Sequence, residues 1–409
     1  MNNVPAGPLE GVRVLDFTHY IAGPYATKLL ADYGAEVIKI ERPDGGDPAR
    51  RLGPFLDDDP HLEKSGLFLH LNTNKKSVTV NLKSEAGRGI VLQLVRDADI
   101  VVESFSPRVL PSLGLDYAAL SAVNPRIVMA SISNYGQTGP YRDYRLSELT
   151  MYALGGSLHA TGLSDREPVK LGLTVEQFFA GNLAAAATMG AFMGTVFSGE
   201  GQHLDLSLFE IAAGNQDRAA QANTNYQYTG VIPPRRGGDY GTTLVPAGVF
   251  PCADGHVQFF TTQPLWDRAC RMIERPDLIN DPYFTAPENF NNNPDVKAEF
   301  EVLLLEWLLP RTKREVTERA QAVGYPCGAL NTMADVFDDP HLRFREFLPE
   351  VDHPIAGTLA YPGAPFKMSE GAWKAGRAPL LGEHTSEVLT ERLGYTAAEV
   401  VRLREQGAI

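Results

Sequence analysis

The chain has 409 residues, too many for one compact core, so we expect two domains or one elaborated domain. Hydrophobic residues make up 44% of the chain and charged residues 21%, a balance typical of soluble globular proteins. The formal net charge of −13 at pH 7 argues against a general nucleic-acid or anionic-membrane binder, although it leaves room for a local basic pocket.

The first ordered unit in the sequence is a strand, a turn, a helix and a second strand. A mostly apolar run ends at Leu15, a helical pattern covers residues 25–33, and a strand pattern follows at 36–41. This spacing is typical of a parallel βαβ unit, which places ligands at the carboxyl ends of its strands. The first such end carries His19, Gly23 and Pro24, and it lacks the G-x-G-x-x-G pattern of dinucleotide sites.

Strand and helix patterns continue to alternate through the first third of the chain. Strands are predicted at 77–82, 100–103 and 126–133, with a helix at 84–97 between the first two. This alternation predicts a doubly wound parallel sheet. Further helices are predicted at 145–154, 175–197 and 206–222.

The run from Phe178 to Phe197 is uncharged and about long enough to span a membrane. It is rich in Ala and Gly, contains Asn182, and has no Lys or Arg at its flanks, so we predict a buried helix and no membrane association. No secretory signal is visible in the first eight residues. The three cysteines are odd in number and lack metal-ligand spacing, which indicates reduced thiols in a cytoplasmic protein and no metal site.

A loop signature at 230–241 marks a change in composition, and a second domain is expected between about 228 and 330. It begins with strands near 248–250 and 257–260, joined by a turn at Asp254-Gly255. Helices are predicted at 265–273 and 296–308, and residues 281–294 are predicted to form a loop. Near the C-terminus, Thr396 and Glu399 have the spacing of a capping box at a helix start.

Five motifs, taken together, resemble the family III CoA-transferases, the group that includes formyl-CoA transferase, carnitine CoA-transferase and α-methylacyl-CoA racemase. The resemblance covers nearly the whole chain. The motifs, in the family's order, lie at residues 16–50, 71–78, 131–140, 201–205 and 379–385.

The resemblance implies a Rossmann-like doubly wound parallel sheet with a second, smaller α+β domain, and an interlocked homodimer. It implies a large CoA-binding domain at 1–227, a small domain at 228–330, and a C-terminal segment at 331–409 that returns to the large domain. Its members move CoA from an acyl-CoA to a free carboxylic acid. An enzyme carboxylate attacks the thioester and forms a mixed anhydride, from which water must be excluded.

The family's nucleophile is an aspartate just before a helix of small residues, and the matching position here is Gln177. A glutamine cannot form the anhydride, so we predict that the adjacent Glu176 replaces the aspartate. The alternative is that Glu176 only favours the N-terminus of the helix through the helix dipole. Gln177 stays in the predicted site because it occupies the family position.

Glu148 matches the region in which the family's transferases carry a second glutamate, beside the active aspartate. A solvated helix residue is the alternative for Glu148. Ser147 stands where the racemases have a histidine base, which disfavours a racemase. His19 is expected near the pantetheine or acyl group, or else bonded to backbone at the strand end. Ile21 replaces the family's oxyanion-binding glutamine.

The phosphates of CoA require local positive charge, and arginine or lysine binds phosphate strongly. Ser104 and Phe105 follow the strand at 100–103, where the family lines the path of the cofactor, although Phe105 fits a core position equally well. The remaining predicted CoA-binding residues are Asn74 and six cations, each of which has a solvated surface position as its alternative: Arg42, Arg50, Lys75, Lys76, Arg108 and Arg145. Gly237-Gly238 could correspond to a mobile glycine loop that covers the active site in some family members. Because the longer glycine run of that loop is absent, we favour an ordinary interdomain turn.

The sequence therefore predicts a cytoplasmic, homodimeric CoA-transferase that acts on acyl-CoA and carboxylic-acid substrates, with coenzyme A as its substrate and no metal. The first alternative is an acyl-CoA isomerase, racemase or lyase on the same fold. The second is an acyl-CoA-binding homologue that has lost catalysis. A dinucleotide-dependent dehydrogenase is disfavoured because no dinucleotide motif follows a predicted strand.

Overall fold

The computed structural model describes residues 7–214, 217–232, 235, 244–260, 265–291, 293–371 and 373–409. The predicted Gly237-Gly238 loop lies outside these residues. The chain divides into two compact units. The first comprises Met1–Leu158, Lys170–Gly230 and His341–Ile409, and the second comprises His159–Val169 and Val231–Pro340.

The first unit is built on a six-stranded sheet in which every neighbouring pair is parallel. Its strands are β1 (Arg13–Phe17), β2 (Glu36–Glu41), β3 (Lys76–Thr79), β4 (Ile100–Glu103), β5 (Val128–Ser133) and β6 (Gln202–Ser207). The spatial order is β3-β2-β1-β4-β5-β6. This is the order of a doubly wound Rossmann sheet, as predicted.

The register of β1 shows why the inner strands of this sheet have apolar sequences. Leu15 pairs with Ile38 of β2 on one side and with Val101 of β4 on the other. Leu15 and Phe17 belong to the core on one face of the sheet, whereas Val12 and Val14 belong to the core on the other face. Both faces are therefore covered, which favours continuous hydrophobic strands over alternating ones.

Helices connect the strands of this sheet and also make up much of the second unit. The α-helical segments are α1 (Ala22–Asp32), α2 (Gly66–Leu71), α3 (Glu85–Val95), α4 (Val109–Leu113), α5 (Tyr117–Val123), α6 (Glu148–Leu154), α7 (Val175–Ser198), α8 (Leu208–Gly214), α9 (Asp217–Thr229), α10 (Trp266–Met272), α11 (Pro282–Thr285), α12 (Pro287–Phe290), α13 (Pro294–Leu308), α14 (Lys313–Ala322), α15 (Met333–Phe337), α16 (Pro340–Phe344), α17 (Thr385–Glu387) and α18 (Ala397–Glu405). Short 3₁₀ turns lie at Pro48–Arg51, Leu56–Asp58 and Pro276–Asn280.

Helix α7 packs on the sheet with only one face. Its buried positions are mostly small, among them Ala180, Gly181 and Ala184, whereas Phe197 is 81% exposed. By length and composition alone, α7 is the one helix of the described residues that could cross a membrane, and 39% of its most apolar stretch is buried. The prediction of a buried helix therefore holds for one face of α7 in this chain.

The predicted helix at 206–222 was wrong at its start. Leu206 and Ser207 belong to β6, and α8 begins at Leu208. β6 lies at the edge of the sheet and pairs only with β5. Its sequence, Gln202–Ser207, is mostly exposed or half-buried and lacks the apolar run that marks the inner strands.

The second unit contains a three-stranded antiparallel sheet of β7 (Gly248–Cys252), β8 (Gly255–Phe259) and β9 (Cys327–Ala329), in that order. The predicted hairpin is present, but Cys252 pairs with Gly255, so the two-residue loop is Ala253-Asp254. The predicted loop at 281–294 was wrong, because it contains α11 and α12. Pro282 and Pro287 occupy helix starts, where a missing N–H costs no hydrogen bond.

The C-terminal part of the first unit contains a two-stranded antiparallel sheet, β10 (Glu350–His353) and β11 (Gly357–Ala360). The end of the chain then packs beside β3. Leu389, Val400 and Ile409 join the same core cluster as Leu15 and Val101. The predicted capping box at the start of α18 is present, with Thr396 and Glu399 bonded to each other's backbone N–H.

Candidate active site

A cavity of about 630 Å³ opens at the carboxyl ends of the central strands of the first unit. The sheet order reverses between β1 and β4, and the crevice outside such a reversal is where doubly wound sheets bind ligands. The carboxyl-terminal sides of three strands line the cavity, namely residues 19–23 after β1, 104–108 after β4 and 132–134 at the end of β5. Residues 142–148, Met151, Gln177 and Leu208 complete most of the remaining wall.

A buried ionic network fixes the turn at the end of β1. The Asp16 carboxylate accepts hydrogen bonds from the backbone and hydroxyl of Thr18, from Thr27 Oγ1 at 2.7 Å and from Lys75 Nζ at 3.0 Å. Burial opposes its charge, but Lys39 and Lys75 hold the pKa of Asp16 far below its usual value. Asp16 is therefore a structural anion that sets the path of the chain into the cavity.

His19, Ser104 and Phe105 meet at the cavity wall, as the two adjacent strand ends lead one to expect. The backbone N–H of His19 donates to Ser104 Oγ at 2.9 Å, and the imidazole contacts the Phe105 ring edge-on at 5.2 Å. Burial lowers the pKa of His19, so its ring is neutral at pH 7.

Glu148 is the carboxylate in the cavity wall that sequence analysis identified. It lies in the first turn of α6, whose N-cap Ser147 forms a capping box with Thr150. Glu148 Oε1 accepts a hydrogen bond from the backbone N–H of Glu176 at 3.0 Å, and Lys170 Nζ lies 3.8 Å away. Its second oxygen, Oε2, is buried and has no hydrogen-bond partner among the described residues.

The two neighbouring residues at the start of α7 differ in position. Gln177 lines the cavity, whereas Glu176 is only 1% exposed and is not one of the described lining residues. The structure therefore brings Glu176, Gln177 and Glu148 together, but it places an amide and the Glu148 carboxyl on the cavity wall. The N–H of Glu176 belongs to the first turn of α7, where the helix dipole favours an anion.

Within the described part of the chain, three arginines line the cavity, and sequence analysis identified Arg108 and Arg145 among them. Arg108 makes a bidentate ion pair with Asp143, with N–O distances of 2.8 and 2.6 Å. The third arginine, Arg142, was missed, as was Asp143. Both follow the glycine-rich motif at 136–140, and that closeness was the available signal.

The other predicted cationic residues lie away from the cavity wall. Arg50 is fully buried and bonds Glu41 through two nitrogens, each at 2.8 Å, and Glu63 through a third at 2.7 Å. Lys75 is buried with four oxygen partners at 2.8–3.0 Å, and burial lowers its pKa to about 8. Both cations are neutralised by these internal contacts.

Asn74, Lys76 and Arg42 also lie outside the lining. Asn74 Nδ2 donates to Asp32 Oδ1 at 2.6 Å, and Lys76 Nζ lies 2.9 Å from Glu387. Arg42 is exposed, with Asp44 at 3.8 Å. The motif at 71–78 thus joins the sheet to the helix α1 and to the C-terminal segment.

Glu103 is a further titratable group at a strand end that sequence analysis did not single out. It accepts a hydrogen bond from the backbone N–H of Phe105 at 2.7 Å, and burial raises its pKa to about 7. It supports the loop that carries Phe105 into the wall. Within the described residues, no cluster of three or more His, Cys, Asp or Glu side chains is arranged to hold a metal.

Comparison with known proteins matches this arrangement to one family. The model of CoA-transferase family III matches residues 9–385. Among the similar curated proteins are formyl-CoA:oxalate CoA-transferases from Rhodopseudomonas palustris, 32% identical over 98% of this chain and 97% of theirs, and from Streptomyces avermitilis, 34% identical over 98% and 99%.

Solved structures agree with this assignment. A CAIB/BAIF family protein from Brucella suis has a TM-score of 0.82 at 30% identity and covers 94% of this chain and 99% of its own. Rv3272 from Mycobacterium tuberculosis has a TM-score of 0.76 at 29% identity, with the same coverage. The chain therefore belongs to CoA-transferase family III, as its motifs predicted, and it is an enzyme of the CoA-transferase type.

Proposed function

We propose that this enzyme transfers CoA from an acyl-CoA to a free carboxylic acid in the cavity at the end of β1 and β4. The observation that carries the proposal is the Glu148 carboxyl in the cavity wall, with one oxygen held by the N–H of Glu176 and the other without a partner among the described residues. A carboxylate is the nucleophile that preserves the acyl-transfer potential of a thioester.

Glu148, rather than Glu176, is the nucleophile in this proposal. Both carboxyls lie beside the family position of the aspartate, which Gln177 occupies here. The Glu176 side chain is 1% exposed and lies off the described cavity wall, whereas Glu148 is part of that wall. Reaching a bound thioester therefore requires less rearrangement from Glu148.

The proposed reaction uses only the two substrates and the Glu148 carboxylate. A Glu148 oxygen bonds to the thioester carbonyl carbon, and the carbon–sulfur bond breaks to leave a mixed anhydride and the CoA thiolate. The thiolate attacks the glutamyl carbonyl, which releases the donor acid as its carboxylate and leaves a glutamyl–CoA thioester. The acceptor carboxylate then attacks this thioester, whose carbon–sulfur bond breaks to give a second mixed anhydride and the CoA thiolate again. The thiolate attacks the acceptor's carbonyl carbon in that anhydride, which releases Glu148 as its carboxylate and gives the new acyl-CoA.

The other residues of the wall have supporting roles in this proposal. The Gln177 amide can donate a hydrogen bond to the oxyanion that forms on the thioester carbonyl. Neutral His19 and the Phe105 ring border the acyl or pantetheine path. Arg142 and Arg145 supply donors for the CoA phosphates, and Arg108 adds the Nη1 group that its ion pair with Asp143 does not use, since guanidinium groups bind phosphate with strong, directional hydrogen bonds.

The test compares Glu148→Gln with the matched variant Glu176→Gln. Formyl-CoA with oxalate, the pair named for the relatives, is the first to assay, followed by a panel of acyl-CoA and acid pairs. We expect Glu148→Gln to lower transfer at least about 1,000-fold, because the nucleophile is lost, while CoA affinity measured by calorimetry stays within about threefold. Loss of transfer in Glu176→Gln alone would assign the nucleophile to Glu176.

A covalent trap tests the anhydride itself. After incubation with acyl-CoA, hydroxylamine or borohydride should modify one glutamate, and peptide mass spectrometry should locate it at Glu148. Solvent deuterium entering the α-carbon of the acyl-CoA without an acceptor acid would instead indicate an isomerase or racemase. Binding of acyl-CoA without turnover across the panel would indicate an inactive homologue. The homodimer and the cytoplasmic location expected above belong to the same proposal.

A further inference from the structure

The first unit contains a second cavity, of about 350 Å³, that shares no lining residue with the proposed active site. One wall comes from α1, and another from Phe347, residues 362–366 and Trp373. His70, near the end of α2, and Asn182 of α7 also contribute to the lining. The volume lies within the range of small-molecule pockets.

Two polar atoms of this cavity's lining are buried without a hydrogen-bond partner among the described residues. They are Tyr33 Oη and His70 Nδ1. Burial raises the pKa of Tyr33 to about 12 and lowers the pKa of His70 to about 4, so both side chains are neutral at pH 7. A buried polar atom without a partner is costly, which favours an occupant that bonds both atoms.

The cavity also contains one buried ion pair with spare donors. Lys28 is 4% exposed and Asp32 is 1% exposed, and the two form a salt bridge. The Asp32 carboxylate also accepts hydrogen bonds from Thr73 and Asn74, at 2.8 and 2.6 Å. An ammonium group has three donors, and among the described residues Lys28 Nζ bonds only Asp32, so Lys28 retains N–H donors.

Aromatic side chains form much of the remaining wall. Tyr33 and Phe366 stack at 5.1 Å with an interplanar angle of 5°, and Tyr25, Phe347 and Trp373 join them in the lining. Such walls favour a flat ring. The ion pair has no net charge, and Tyr33 and His70 are neutral, so the lining does not favour a charged occupant.

We infer that this second cavity binds a small, uncharged aromatic amide. The amide oxygen accepts hydrogen bonds from Lys28 Nζ and the Tyr33 hydroxyl, its N–H donates to His70 Nδ1, and its ring packs among Phe366, Trp373 and Tyr25. This inference does not depend on the reaction proposed for the other cavity.

Benzamide is the probe, with benzoate and toluene as matched probes that add a charge or remove the polar group. Trp373 lines the cavity, and the other two tryptophans of the chain lie in the core of the second unit, so intrinsic fluorescence reports on binding. We expect benzamide to cause a saturable change in tryptophan fluorescence, and we expect this change to be absent in Trp373→Phe. Tyr33→Phe should weaken benzamide about five- to tenfold, because one hydrogen bond is lost.

Each contrary outcome overturns a stated part of the inference. If benzoate binds more tightly than benzamide, the inference of an uncharged ligand is wrong. If toluene binds as tightly as benzamide, the inferred polar contacts are wrong. No saturation with any probe up to about 10 mM overturns the site, since that limit corresponds to almost no affinity. His70→Gln is the second variant if Tyr33→Phe fails to fold, and unchanged benzamide affinity in the folded variant also overturns the inference. CoA transfer by Tyr33→Phe should be unchanged.

Discussion

Arg50 is the most completely buried cation that the sequence motifs pointed to. Its guanidinium bonds Glu41 and Glu63, donates to the carbonyl of Pro379, and lies 3.6 Å from the centre of the Phe68 ring. The pKa of Arg50 is raised in spite of its burial, because Glu41 and Glu63 face it. Removing one partner of such a pair leaves an uncompensated buried charge.

We therefore expect Arg50→Met to lower the free energy of unfolding by about 3–5 kcal/mol, as measured by urea denaturation. The double variant Glu41→Leu with Arg50→Met should lose less than the sum of the two single variants, because the buried Glu41 carboxylate is then no longer left without its cation. Arg402→Met is the surface control, since Arg402 lies 3.9 Å from Glu399 with its side chain 66% exposed, and it should change stability by less than about 0.5 kcal/mol. A loss as small in Arg50→Met would contradict the structural role.

At single residues, sequence patterns identified strand ends better than side-chain directions. His19, Ser104 and Phe105 follow two strands that the pattern predicted, and adjacent parallel strands bring their ends together. Arg50 faces Glu41, which lies in the same motif, whereas Lys75 faces Asp16, 59 residues earlier in the chain. The motifs contain these residues but do not show which of them face each other, so the motifs alone could not separate a buried cation from a phosphate ligand.

The start of α7 carries Gln177 of the cavity wall and the N–H that holds Glu148, and its position depends on close contact with α1. A Cβ atom added to Gly181 would lie 2.7 Å from the carbonyl oxygen of Ala22 and 2.9 Å from the Tyr25 ring. Gly190, in the same helix, has nothing within 4 Å of that position. The two glycines therefore form a matched pair, one required by packing and one not.

We expect Gly181→Ala to lower the free energy of unfolding by about 1–3 kcal/mol, because the two helices must separate. It should also lower CoA transfer, since the start of α7 carries Gln177 and the N–H that holds Glu148. Gly190→Ala should raise stability by about 0.5–1 kcal/mol, because alanine favours a helix interior, and should leave transfer unchanged. Equal behaviour of the two variants in denaturation and activity assays would show that the contact is not needed.

Among the elements, segments with a clear apolar pattern were predictable and segments without one were not. The 24-residue helix α7 and the strand β4 were found within one residue of their observed limits. β6 was missed because an edge strand needs no apolar run, and α11 and α12 were missed because four residues carry no helical period. Pro282 and Pro287 stand at the first positions of these two helices, which proline suits.

At the scale of the whole chain, the class of the sheet was predictable, but the segment that completes the core beside it was not. Alternating strand and helix patterns predict a parallel doubly wound sheet, but hydrophobic patterns do not show which distant segment completes its core. That the C-terminal segment returns to the large domain was an expectation from the family resemblance alone. In the structure, Leu389 is fully buried in the cluster that contains Leu15, Ile38 and Val101.

This packing makes a late segment part of the folding unit that supports the active site. We expect Leu389→Ala to lower the free energy of unfolding by about 2–5 kcal/mol through lost burial and a new cavity. Val401→Ala, at a half-exposed position of α18, should cost less than about 0.5 kcal/mol. Amide hydrogen exchange in β1 and β4 should accelerate in Leu389→Ala and not in Val401→Ala, because those strands share the core that Leu389 fills. If exchange in both strands stayed at its wild-type rate, the C-terminal segment would be an independent appendage, and the site at the end of β1 would not depend on it.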